Sequence, residues 1–339
     1  MSNLKEKFFR RGNEFLGSKV PVICGAMTWI SEPCLVSAVC NAGAFASLAG
    51  GNCPPEILEA SIERTRGLTH APFGVNLITI SPAYHSQLDM LKRNPVPIVI
   101  FAGGLPRDSD IAMIKEAGSK VMCFAPASAV ARRMLNCGAD ALILEGTEAG
   151  GHIGLVGLNV LIQEVLFEHD NALIFVGGGL ATGRICAHMM LMGAAGVQMG
   201  TRFAVAEESC AHHTFKQAML KADSRDAVSP GQIDERLPVV PVRALKNLGL
   251  KRFAQLQMDL IGMLNQEHID VKEAQMQVEK FWVGALRRAV QDGEVDNGSM
   301  MAGQSVGLVK KIEPVQDIID DIEHGMEEEF QRVKKFMSD

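Results

Sequence analysis

The sequence predicts an α/β protein built on a (β/α)8 barrel, with a helical cap inserted or appended near the C-terminus. Three observations carry this expectation. Short apolar runs recur eight times, at spacings of roughly 20 to 30 residues, segments of helical periodicity lie between them, and the alternation stops near Ala204. The run that ends at Glu145, apolar from Ala141 to Leu144, suits a strand covered on both faces, as in a parallel sheet wrapped by helices. An open doubly wound sheet is the alternative closure of the same units.

The eight runs, in order, are Val20 to Gly25, Ala44 to Ala49, Phe73 to Ile78, Val96 to Phe101, Lys120 to Phe124, Ala141 to Glu145, Leu173 to Gly177 and Gly196 to Gly200. A charged leader precedes them and reads as a short helix. Helical spacing marks Glu32 to Asn41, Pro55 to Thr65, Tyr84 to Lys92, Asp108 to Ala117, Ala127 to Cys137, Leu158 to Glu168 and Thr182 to Met192. Beyond Ala204, residues 207–222 and 250–291 read as helices, separated by a connection holding Pro230, Pro238 and Pro241. A small-residue loop, Asn297 to Ser305, is followed by an amphipathic helix from Val315 to Lys335. The expected division is therefore a barrel at 1–203, a helical cap with an active-site loop at 204–305, and a terminal helix packed on the barrel at 306–339.

With 339 residues, 47% of them hydrophobic, the chain can bury a substantial core. A net charge of -6 without an extended basic block argues against nucleic-acid binding. No apolar run reaches the roughly 18 residues that span a bilayer, and no export signal is evident, so a cytoplasmic protein without membrane attachment is expected. The eight cysteines form no Cys-x-x-Cys pair and no zinc-finger spacing, which favours reduced, structural thiols and no metal. His212 and His213 are a poor metal pair, because adjacent helical residues diverge by about 100°.

The functional reading centres on residues 139–157. An apolar run ends at Glu145 and gives way to Gly150 and Gly151, which leave backbone open to a ligand, and then to His152. A single loop histidine is more often merely solvated; its place after a buried strand in a chain of parallel-strand type argues for chemistry. Two more glycine turns follow the last two strands, at Gly177-Gly178-Gly179 and at Gly200, where Gln198-Met199-Gly200-Thr201 closes the run. Neighbouring loops after strands seven and eight of a barrel, rich in unpaired N–H groups, suit a phosphate. A Rossmann fingerprint is excluded by the Gly177, Gly179, Gly183 spacing, and no P-loop is present.

These motifs, with Gly25-Ala26-Met27, Pro72 to Asn76 and Met301 to Gly307, resemble the nitronate monooxygenases, formerly called 2-nitropropane dioxygenases. The flavin-dependent type II enoyl-ACP reductases share them. The resemblance implies a TIM barrel holding FMN, with the phosphate met by Gly178, Gly179 and Gln198 through Thr201, including Met199 and Gly200. It implies flavin contacts at Ala26, Met27, Asn76, Glu145 and Gly150, and an active-site role for His152. Two departures stand out: Cys24 replaces a glutamine common in relatives, leaving a substrate-side contact in doubt, and Thr182 stands where many carry aspartate, as a substitute helix cap.

The implied activity is oxidation of alkyl nitronates by O2 to carbonyl compounds and nitrite. The alternative is an enoyl-ACP reductase using NAD(P)H as co-substrate, with an acyl carrier protein docked near Arg132-Arg133 or Arg287-Arg288; a flavin-binding protein without activity is the second alternative. A small-molecule substrate and a homodimer complete the expectations.

Overall fold

The computed structural model describes residues 4–51 and 53–338. Its strands are β1 (Val22–Cys24), β2 (Phe45–Ala49), β3 (Gly74–Ile78), β4 (Ile98–Ala102), β5 (Lys120–Phe124), β6 (Ala141–Glu145), β7 (Gly151–His152), β8 (Ile174–Gly177), β9 (Gly196–Met199), β10 (Ala227–Val228) and β11 (Val242–Leu245). Among the described residues, eight of these close into a parallel barrel in the order β1 to β6, β8, β9, with β9 pairing back onto β1. Seven of the predicted runs contain one of these strands, and the fourth, Val96 to Phe101, overlaps β4, which runs one residue further to Ala102. The (β/α)8 reading holds, and the open sheet is excluded.

The helices are α1 (Leu4–Leu16), α2 (Pro33–Asn41), α3 (Pro55–Leu68), α4 (Tyr84–Arg93), α5 (Asp108–Glu116), α6 (Ser128–Asn136), α7 (Leu158–Leu161), α8 (Gly183–Leu191), α9 (Thr201–Ala204), α10 (His213–Lys221), α11 (Leu248–Asn265), α12 (Val271–Gln291) and α13 (Val315–Phe336). Side chains alternate across each strand, so one set fills the barrel and the other meets the helices. Inside lie Ile23, Phe45, Ile98, Ile100, Met122, Ala141, Ile143 and Phe175, sealed below by Phe15 and Leu16 of α1. The Phe15 and Phe175 rings stand 6.0 Å apart. With the bottom plugged, the strands' C-terminal ends form the open mouth.

Three expectations need correction. Residues 250–291 are two helices, because α11 stops at Asn265, Glu267 takes a left-handed φ of 55°, and Asp270 then caps α12 by accepting the Glu273 N–H at 2.7 Å. The predicted helix 207–222 is confined to α10, since residues 208–212 form a turn that ends on His212 as the N-cap. A small antiparallel sheet, β10-β11-β7, was not foreseen, and it puts His152 in strand pairing with Val242. The α11 and α12 pair has its own core around Phe253, Val278 and Trp282. All eight cysteines are free thiols, and among the described residues no metal-holding cluster occurs and no helix is long and apolar enough to cross a membrane.

Candidate active site

Period-two alternation explains what the mouth contains. Glu145 shares the inward face of β6 with Ala141 and Ile143, so it stands directly above the apolar plug. Asn76 and Ser47 occupy equivalent inward positions on β3 and β2, and Gln198 does so on β9. A polar layer therefore caps an apolar one. Gly25 and Gly177 make room for the Gln198 side chain: a Cβ built at Gly25 would lie 3.1 Å from Gln198 Cδ, and one at Gly177 would lie 3.3 Å from Gln198 Cβ. The Ser47 hydroxyl is buried without a hydrogen-bond partner among the described residues.

Glu145 is the ionisable member of this layer. Its side chain keeps some contact with solvent yet is enclosed by protein, and this burial pushes its carboxyl up to about 8. At neutral pH this burial favours the protonated carboxyl. It can therefore donate a hydrogen bond as well as accept one.

On the β8, β9 and β1 side, Gly178 (φ 105°) and Gly179 (φ 73°) adopt conformations that favour glycine, and a Cβ on Gly179 would also press on Glu148 at 3.2 Å. The backbone N–H groups of Gly178, Gly179, Gly200 and Thr201 have no protein acceptor among the described residues. Register pairs Gly177 with Gln198, so the two loops are neighbours. Gly200 has open space on its Cα face, where a Cβ would meet nothing nearer than Met27 Sδ at 3.5 Å. Met27 belongs to a turn closed by its own N–H on Ser31 Oγ (2.9 Å) and by Ser31 Oγ donating to the Gly25 carbonyl (2.9 Å); Ala26 lies in the same turn. Unpaired donors beside open room are what the phosphate end of FMN requires, so the residues present fit that group.

Some predicted residues are placed differently from expectation. Gly150 does not leave its backbone to a ligand on the side where a Cβ would project, because the Ala302 and Gly303 backbone fills it. This same loop is anchored by Gly303 N–H on Thr201 Oγ1 (3.0 Å) and Gln304 N–H on the Glu148 carbonyl (2.9 Å). The Met199 side chain packs between barrel and helices, leaving only its backbone near the mouth. Cys24 also faces the helices, buried, which removes it from any substrate contact. Thr182 occupies the N-cap of α8 but makes no side-chain cap hydrogen bond.

His152 is half-exposed and turned toward the cap, with Nε2 3.4 Å from Glu279 Oε2 of α12. Its strand is held from behind by Arg243, which donates from Nε to the Thr147 carbonyl at 2.9 Å and from Nη1 to the Ala227 carbonyl at 2.8 Å. Neither Glu279 nor Arg243 was named from the sequence. Both come from the cap, far along the chain, and no local motif announces them.

Exposed apolar side chains stand on other loops of the mouth. Ile80 (61% exposed), Leu105 (42%), Leu155 (82%) and Val240 (45%) project from the loops after β3, β4 and β6 and from the cap connection. These loops touch: a Cβ on Gly104 would meet Ile80 Cγ2 at 3.3 Å, one on Gly154 would meet Pro126 at 2.9 Å, and Ile153 N–H donates to the Pro241 carbonyl at 3.0 Å.

Comparison with known proteins gives these features a setting. The sequence model of the nitronate monooxygenase family matches residues 11–87 and 78–325. The structure of FabK from Thermotoga maritima superposes with a TM-score of 0.86 at 35% identity, covering 96% of this chain and 98% of that one. A (3aS,4S,5R,7aS)-5-hydroxy-7a-methyl-1-oxo-octahydro-1H-indene-4-carboxyl-CoA dehydrogenase of Rhodococcus jostii is 30% identical over 91% of this chain and 93% of its own length. A probable nitronate monooxygenase of Staphylococcus saprophyticus is 26% identical, over 90% and 94%.

Proposed function

We propose, from the premise that this chain belongs to the nitronate monooxygenase family of flavin-dependent oxidoreductases, that it binds FMN and reduces an α,β-unsaturated acyl thioester with NAD(P)H. The observation that carries the substrate class is the exposed apolar arc of Ile80, Leu105, Leu155 and Val240. An acyl chain laid across it would remove that surface from water, and a small alkyl nitronate would leave it wet. The relatives of higher identity support the same choice: FabK, an enoyl-ACP reductase neighbour, and a dehydrogenase of a carboxyl-CoA. The order of the two reactions expected from the sequence is thereby reversed.

In the overall reaction a hydride from the nicotinamide ends on the substrate β-carbon and a proton adds at the α-carbon, so NAD(P)H and H+ are consumed together. FMN, when bound, would supply the hydride chemistry. The N–H groups of Gly178, Gly179, Gly200 and Thr201 would hold its phosphate, and the Asn76 and Gln198 amides would face it from the polar layer. Glu145 offers a neutral O–H at the floor of the mouth. His152, at the rim and steadied by Glu279, is the group that moves the proton at the α-carbon. Where the thioester is carried on an acyl carrier protein, the exposed Arg132 and Arg133 of α6 are the docking candidates.

Oxidation of alkyl nitronates by O2 is the second reading, favoured by the family match over nearly the whole chain. One experiment separates them. The purified yellow protein is mixed anaerobically with NADH, NADPH and propyl-2-nitronate in turn, and flavin absorbance is followed. Bleaching by a nicotinamide, reversed by an enoyl thioester, supports the reductase. Bleaching by the nitronate alone would overturn it.

A further inference from the structure

Each of the two glycine loops runs directly into a helix, α8 after Gly178 to Thr182 and α9 after Gly200, and both helices pack on α13. The joint between them is Arg202. Its largely buried guanidinium donates from Nη1 to the Ala181 carbonyl of the first loop at 2.9 Å and from Nη2 to Glu313 Oε1 at 3.0 Å, and Nη1 lies 2.8 Å from Asp321 Oδ2 of α13. One planar group thus ties the first loop, the turn that follows the second loop, and the terminal segment. Glu313 is itself buried, and its carbonyl accepts the Glu207 N–H at 3.0 Å.

The terminal helix is anchored at both ends. Glu208 accepts the N–H of Val315, at 2.9 Å for the nearer oxygen. Further along, Glu329 receives Arg332 at 2.6 and 2.8 Å, His188 Nε2 at 2.6 Å and Arg184 Nε at 3.2 Å, the last two from α8. Gly183 and Gly325 let the two backbones touch where α8 begins. The helix is therefore fixed against α8 immediately beyond the first glycine loop.

We propose that Arg202 is a positioning residue: with Glu313 and Asp321 it sets the spacing of the two glycine loops, so that the terminal segment governs affinity for the phosphate of the cofactor. The inference rests on the reading that these loops receive the FMN phosphate. Two carboxylates already answer the Arg202 charge, so its contribution is geometric rather than that of a counter-ion. Lysine cannot reproduce it, because a point charge on a flexible stem cannot hold a carbonyl and two carboxylates in one plane.

The experiment compares FMN with riboflavin, which lacks the phosphate, on the full-length chain freed of flavin and titrated by fluorescence. The wild type should prefer FMN by about 100-fold or more, the worth of two charge-assisted hydrogen bonds. Arg202→Lys should lose about tenfold of that preference with riboflavin affinity unchanged, and Arg202→Ala should lose more. If Arg202→Ala yields too little folded protein, Arg202→Lys and Glu313→Gln carry the decision. Variants that keep the wild-type ratio, or that lose both ligands in parallel, would overturn the positioning role. A wild type with no preference for FMN would instead overturn the phosphate reading beneath it, and the role with it.

Discussion

The two halves of the barrel mouth are built from opposite materials. Around β8, β9 and β1 the surface is glycine backbone with unpaired N–H groups, and the charge behind it is buried and paired through Arg202. On the loops after β3, β4 and β6 and on the cap connection it carries apolar side chains standing in water, with one backbone hydrogen bond, Ile153 N–H to the Pro241 carbonyl, tying the β6 loop to the cap. The difference teaches a division of labour. On the proposed function, the backbone donors would take the cofactor's anion, which every cycle reuses, and the apolar side chains the variable part of a substrate, with Glu145 and His152 at the seam.

Removing the group at the seam should have the largest effect. His152→Ala should lower kcat on an enoyl thioester by about 10² to 10⁴, the usual worth of general acid–base catalysis, while bound FMN stays at the wild-type level. Flavin content and steady-state kinetics decide it, and a loss of flavin equal to the loss of rate would place His152 in the anion half instead. The next effect belongs to Gly200. Open space faces it, so Gly200→Asp should fold, yet its carboxylate would stand beside the phosphate and cost roughly 100-fold in FMN affinity. Gly200→Ala, with ordinary contact to Met27, is the control for bulk without charge, and full FMN occupancy in the Asp variant would move the phosphate elsewhere.

How far the sequence leads differs between these halves for a physical reason. Barrel strands were legible because burial on both faces makes them predominantly apolar, even where Ser47, Asn76 and Gln198 interrupt them, although β1 is shorter than its run and begins only after Pro21, which has no N–H to donate. Glu145 was marked in the sequence as the end of an apolar run before the glycines, and its inward placement comes from the alternation of β6. The sheet carrying His152 was not, since two-residue strands have no periodicity and Val242 to Leu245 follows three prolines that read as a connection. The α11 and α12 break was hidden because apolar spacing continues across a turn that only the φ of Glu267 reveals. Partners such as Glu279, Arg243 and Glu313 meet the site through tertiary packing, which no local pattern encodes.

Glu145 gives a pH-dependent test of the seam. Burial lifts its carboxyl from the ordinary 4.5 to about 8, so between those values the folded chain retains a proton that the unfolded chain has released. Stability of the flavin-free protein should therefore fall as pH rises through that window, by at most about 1.4 kcal/mol per pH unit, less what partial solvent contact screens. Glu145→Gln should flatten the trend and leave the variant more stable than wild type near the upper end. Urea denaturation at about pH 5 and about pH 8 measures it, and identical slopes in both proteins would mean that the carboxyl ionises normally in the mouth.

The smallest effect should come from the apolar arc, and it is the one that distinguishes recognition from holding. Ile80 and Leu155 are the most exposed of its members, so replacing both by Ser removes surface that the folded chain does not use for its own core. Stability and FMN content should stay unchanged. What changes is the surface available to an acyl chain: burying a few methylene contacts contributes on the order of 1 kcal/mol, so KM for a dodecenoyl thioester should rise by roughly fivefold. A crotonyl thioester is too short to lie across the arc, and its KM should change by less than about twofold. Initial-rate measurements on the two chain lengths give the ratio directly. Equal increases would mean that the arc acts on the thioester end common to both, and no increase for either would leave these side chains as ordinary surface and return the small nitronate to first place.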